Sequence, residues 1–185
     1  MTRHVSIGII FSLVLLTITA CGGGSTGTGT ATATSTSTST STSTATTAYT
    51  NATVKIGLTG STGGKGIAGT GFTLTLPANV APAMDNGSVA TGTVTCSGTF
   101  AGSTLAQIIY TPATGSTQGI LNINVANIIT AGVTAVGEVA TVTLKLSNGA
   151  SPAATDFSLN SISVIDTLGS AIKGVTATVS GVALN

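Results

Sequence analysis

Two cysteines, four carboxylates, two tyrosines and one histidine are the side chains able to do chemistry in this 185-residue chain. His4 stands ahead of an apolar run at the start, so the body has no imidazole to serve as general base, triad member or metal ligand. A carboxylate pair could still hydrolyse a glycosidic bond, which needs two acids facing a sugar across about 5 to 9.5 Å. Asp156 and Asp166 are the acids nearest each other in sequence. Asp156 falls in the loop Ala154-Thr155-Asp156-Phe157 and Asp166 at a turn, where aspartate commonly bonds its own backbone. Asp85-Asn86-Gly87-Ser88 lacks the repeated acidic ligands and terminal Glu of a calcium loop and reads as a hairpin turn. No enzymatic activity, no metal and no cofactor is expected.

Beyond residue 20, Lys55, Lys65, Lys145 and Lys173 balance Asp85, Glu138, Asp156 and Asp166. Displacing counterions from phosphates needs a basic stripe, and scattered lysines do not form one, so nucleic acid is set aside as a partner.

Cys21 has a different setting. Arg3 and His4 precede the apolar run Ile7 to Ile18, and Ile18, Thr19 and Ala20 lead into Cys21. This is a charged region, a hydrophobic region too short for an ordinary membrane span and a small-residue cleavage site. The order aliphatic, small, small, Cys resembles the lipobox of bacterial lipoproteins. The resemblance implies that residues 1–20 are a signal peptide, that Cys21 receives a diacylglycerol on its sulfur, and that it becomes the new N-terminus. An ordinary secretory leader cleaved near Ala20 would leave Cys21 a bystander; its position at the seam favours lipid attachment. The expected location is extracytoplasmic, tethered to a bacterial membrane through Cys21. Gly22 after the cysteine favours sorting to the outer membrane in a cell that has one.

Residues 21–50 follow as a linker rich in Ser, Thr, Gly and Ala. With no aliphatic side chain larger than Ala from Gly22 to about Thr47, it cannot bury enough apolar surface to offset the entropy of ordering. A flexible chain of this length spans roughly 25 to 30 Å, enough to hold a domain clear of lipid headgroups. Its clustered hydroxyls could also be O-glycosylated.

The elements that must position the remaining residues lie in 51–185, the size of one domain. Their periodicity is two. Val54, Ile56 and Leu58 alternate with Thr53, Lys55 and Gly57; Phe72, Leu74 and Leu76 with Thr73 and Thr75; Leu121, Ile123 and Val125 with Asn122 and Asn124. Val142, Leu144 and Leu146, and Val175, Ala177 and Val179, repeat the pattern. Each predicts a strand with one buried and one wet face. Further strands are expected at Val89 to Cys96, Leu105 to Thr111 and Ser161 to Asp166, with turns at Gly60 to Gly66, Asp85 to Gly87, Asn148-Gly149 and Leu168-Gly169. About eight short strands predict an all-β fold: a two-sheet antiparallel sandwich, jelly-roll-like.

Gly137-Glu138-Val139-Ala140-Thr141-Val142-Thr143-Leu144-Lys145-Leu146, followed by a strand and Asp166-Thr167-Leu168-Gly169, resembles the C-terminal half of cohesin domains, and Gly71-Phe72-Thr73-Leu74-Thr75-Leu76-Pro77 resembles an earlier cohesin strand. The likeness covers roughly residues 52 to 182. It implies a jelly-roll sandwich of cohesin topology and a protein partner, dockerin-like, held by one sheet face. Related folds bind polysaccharide, which is the alternative. Sugar platforms depend on exposed aromatic rings; the body has no Trp, and Tyr110 in Ile108-Ile109-Tyr110 reads as a core or sheet-edge residue. Phe72, Phe100 and Phe157 fit buried positions. Cys96 shares parity with Val94 and Phe100, so it should point inward as a small hydrophobe. The wet faces are threonine-lined and nearly uncharged, and sparsely charged edge strands invite self-association. No individual residue of the binding surface is identified by these patterns.

Overall fold

Aliphatic residues at every second position leave a strand no stable place except against a second sheet, and the computed structural model, which describes residues 48–185, shows that packing. The leader, Cys21 and the linker to residue 47 lie outside the described residues. The described residues form eleven strands: β1 (Asn51–Gly60), β2 (Ile67–Leu76), β3 (Val80–Pro82), β4 (Met84–Asp85), β5 (Ser88–Val89), β6 (Val94–Cys96), β7 (Thr104–Thr111), β8 (Gly119–Ala126), β9 (Glu138–Leu146), β10 (Ser158–Asp166) and β11 (Val175–Leu184). One sheet runs β11-β1-β9-β3, with β6 also on β9; the other runs β10-β2-β8-β7. All pairings are antiparallel.

β3 and β6 lie end to end along β9, β3 facing Leu144 to Leu146 and β6 facing Ala140 to Val142. They are two halves of one edge strand, interrupted by the β4–β5 hairpin. Counted so, each sheet has four strands and the chain crosses between sheets at nearly every connection, a jelly-roll-like path. The segment Val89 to Cys96, expected as one strand, is thus divided between β5 and β6. Asn86 (φ 49) and Gly87 (φ 80) form the two-residue turn of the excursion, Asp85 facing Ser88. Both residues need positive φ, which Asn and Gly supply at least cost.

The core follows the alternation. Val54, Ile56, Val142 and Leu144 from one sheet meet Leu74, Leu76, Leu121 and Ile123 from the other, each 2% exposed or less. Phe72, Phe100 and Phe157 are buried as expected. Where β1 passes β9, Ile56 faces Ala140 and Gly57 faces Glu138, so Val139 is an extra residue; the bulge turns both Val139 and Ala140 inward. All of this core lies within 48–185, and the backbone N–H groups of Thr50 and Asn51 donate to the Asn185 carbonyl, closing one terminus on the other.

The free edges depart from expectation. β7 has an extra residue at Ala106, between Leu105 opposite Val125 and Gln107 opposite Asn124. β11 has one at Ser180, between Val179 opposite Ile56 and Gly181 opposite Lys55. β10 has Ser161 (φ 51) and Ile162 out of register with β2. With the β3/β6 edge already broken, every edge is kinked or interrupted, and this blunts strand addition without charged residues.

Candidate functional site

The two outer faces differ in charge. On the β11-β1-β9 sheet, Lys55 donates to Glu138 Oε2 at 3.1 Å, and the same face carries Lys145 toward one end of β1 and the hydroxyl pair Thr59 and Thr176 (3.1 Å) toward the other. Hydrogen bonding by the Ser97 hydroxyl, then by the Lys55 ammonium, holds the Glu138 carboxyl below its ordinary range.

Among the described residues, the outer face of β10-β2-β8-β7 has no ionisable side chain. The residues out of phase with the core line it, among them Gly69, Gly71, Thr73 and Thr75 of β2; Ile120, Asn122 and Asn124 of β8; Gln107 and Ile109 of β7; Asn160, Ser163 and Ile165 of β10. Polar side chains link neighbours across the strands. Thr73 Oγ1 donates to Asn122 Oδ1 at 2.7 Å, Asn124 Nδ2 to Gln107 Oε1 at 3.2 Å, and Asn160 Nδ2 to Thr75 Oγ1 at 3.4 Å. This pre-orients the amides while leaving further donors and acceptors toward solvent.

Two adjoining depressions, about 270 and 300 Å³, share Gly71, Asn124 and Ser163. Gly71 makes this shallow groove: a Cβ there would meet Asn124 Oδ1 at 2.3 Å, so a side chain would displace the Asn124 amide. Ile109, 46% exposed, and Ile165, 39% exposed, flank it. The result is an apolar and amide-lined surface suited to a partner by shape, hydrogen bonds and burial, with no fixed charge to steer it.

The acids singled out in the sequence do not converge. Asp156 precedes β10 and Asp166 ends it, ten residues apart and about 30 Å along an extended strand, far beyond glycosidase spacing. Asp156 Oδ2 accepts from its own loop, Ala153 N–H, at 2.8 Å. Asp166 is buried at 5% exposure; Oδ1 accepts from Leu168 N–H (3.0 Å) and Ser170 N–H (2.8 Å), and Oδ2 from Lys65 Nζ (2.8 Å). The Lys65 ammonium first, then the Ser170 N–H, holds its carboxyl below the ordinary range. Both are turn organisers, and Asp85 sits in the hairpin turn.

Cys96 points toward the core but is only half-buried, because β6 is a short edge fragment; burial raises its thiol pKa. Tyr110 packs half-buried on the core from edge strand β7. Alternation marked Asn122, Asn124, Thr73 and Thr75 as wet, but nothing in the sequence placed β2 and β8 side by side or added Gln107 and Ile109 to their surface.

No family model and no curated protein matches this chain. Among solved structures, a non-cellulosomal cohesin from the hyperthermophilic archaeon Archaeoglobus fulgidus is similar, at 13% identity and a TM-score of 0.42, over 68% of this chain and 74% of that one.

Proposed function

We propose that this chain is a membrane-anchored extracytoplasmic lipoprotein that displays a non-catalytic protein-binding or adhesion module, with the outer face of β10-β2-β8-β7 as the binding surface. The lipobox-like seam at Cys21 and the Ser/Thr-rich linker support the anchor and the display. The observation that carries the binding reading is the uncharged groove over Gly71 between Ile109 and Ile165. It is the broad sheet face on which amides and exposed aliphatics occur without charge, the composition of an interface centre. The cohesin-like segments read from the sequence point to a protein ligand of the dockerin kind; polysaccharide is the alternative, and the groove over Gly71 is lined by no exposed aromatic ring on which a sugar could stack.

The test is capture by residues 48–185, with and without calcium, from extracts and secreted fractions of the source cell, alongside a polysaccharide panel. The bait is run as wild type and as Asn124→Arg, which sets a charge and bulk in the groove. A protein retained by wild type and lost by the variant supports the reading. Retention on a glycan with no protein partner replaces it with the carbohydrate-binding alternative. For the anchor, Cys21→Ala should abolish lipid labelling and release the protein from membranes; unchanged labelling would rule out Cys21 as the attachment site.

A further inference from the structure

Strand pairing fixes which loops share an end of the sandwich. Gly60 at the close of β1 faces Val175 at the start of β11, Asp166 at the close of β10 faces Ile67 at the start of β2, and Ile67 also bridges to Val133 in the β8–β9 connection. The β1–β2 loop, the β10–β11 turn and the β8–β9 connection therefore meet at one end. Thr50 and Asn185 lie together at the other, about 30 Å away by the length of a ten-residue strand.

The loop end carries the three most exposed large aliphatic side chains of the described residues: Leu168 (89%), Ile128 (77%) and Ile129 (57%). At the same end, a cleft of about 500 Å³ runs between the β1–β2 loop and the β10–β11 connection that also carries Leu168, bounded by Ser61, Thr62, Gly63, Lys65 and Lys173. Both lysines are exposed. The nearby acid, Asp166, is buried and engages Lys65, so it takes one positive charge and leaves Lys173 without an ionic partner among the described residues. The end is thus aliphatic at its projecting points and cationic at its cleft.

The geometry points to an interfacial membrane site: Leu168, Ile128 and Ile129 enter the acyl boundary of an anionic phospholipid bilayer while Lys173, with the hydroxyls of Ser61 and Thr62, meets headgroup phosphates and Lys65 stays paired with Asp166. Lysine stems reach outward to the headgroup level while aliphatic tips sit deeper. Free phosphate would account for the lysines and leave the aliphatic tips idle, and an apolar peptide would leave the lysines idle; an anionic lipid surface uses both. The site is separate from the sheet-face groove and stands whether or not that groove binds a protein.

The test is co-flotation of residues 48–185 with vesicles of phosphatidylglycerol and phosphatidylcholine, against phosphatidylcholine alone, with inorganic phosphate titrated separately by NMR. Binding is expected to the anionic vesicles, weakened by salt, reduced about five-fold in Lys173→Ala and at least about ten-fold in the triple variant Ile128→Ser, Ile129→Ser, Leu168→Ser. These side chains are exposed, so the thermal midpoint should not move; Leu168→Ser alone gives a milder second reading. Absence of flotation, or flotation indifferent to the tip substitutions, overturns the inference. Phosphate shifts at Lys65 and Lys173 without vesicle binding overturn it in favour of a free-anion site, and a protein captured through the tip without vesicle binding overturns it in favour of a protein partner.

Discussion

Replacing Thr70 by valine should stabilise the fold. Thr70 is on β2, 4% exposed, with Val125 and Val164 opposite it on the flanking strands, and its Oγ1 has no hydrogen-bond partner. A buried hydroxyl without a partner costs about 1 to 3 kcal/mol of desolvation. Valine has nearly the same shape and exchanges that hydroxyl for a methyl, whose burial contributes up to about 0.8 kcal/mol. Allowing for a compact unfolded state, a net gain of about 1.5 kcal/mol is expected. At about 2.1 cal/mol/K of unfolding entropy per residue, this raises the midpoint of residues 48–185 by about 5 °C. Urea and thermal unfolding of wild type and Thr70→Val measure it, with Thr73→Val as a control, because Thr73 Oγ1 already donates to Asn122 on the wet face. The control should show no comparable gain. Destabilisation of Thr70→Val by more than about 0.5 kcal/mol would refute the reasoning, because it would mean the hydroxyl is satisfied by a water held in the core.

Acid should weaken the fold through two carboxylates. Asp166 and Glu138 both have lowered pKa values in the folded state, so their contribution is complete above the ordinary carboxylate range near pH 4 and is lost as the pH falls through the folded values. Asp166→Asn should flatten that acid limb in a stability–pH profile; an unchanged slope counts against it. Deleting Ala106 removes the β7 bulge and leaves a straight, uncharged edge, so the variant should form concentration-dependent oligomers by light scattering where wild type stays monomeric. Cys96 should react with a disulfide reagent more slowly than free cysteine at pH 8, because burial raises its thiol pKa, and at the ordinary rate once urea unfolds the chain. Equal rates in both states would contradict its half-buried place.

Much of the fold was legible because a strand's two faces are set locally. Val54-Ile56-Leu58, Phe72-Leu74-Leu76 and Leu121-Ile123-Val125 declare a buried side by themselves, and each lies inward as its spacing predicts. The Asn-Gly hairpin turn and the aspartate turns were equally local, since they rest on backbone torsion and hydrogen bonds a few residues away. Bulges were not legible: an extra residue at Ala106, Val139 or Ser180 shows only against the partner strand that skips it.

The lipobox-like seam and the linker are properties of consecutive residues, and the sequence alone carries those expectations. The difference between the two wet faces is a property of pairing. Thr53, Thr73 and Thr143 look alike in the chain, yet the register puts Lys55, Glu138 and Lys145 on one sheet and gathers Asn122, Asn124, Gln107 and Ile109 around Gly71 on the other. Alternation determined which side of each strand is wet; only tertiary structure decided which strands share a surface, because period two records orientation about one strand's axis and carries no information about its neighbours.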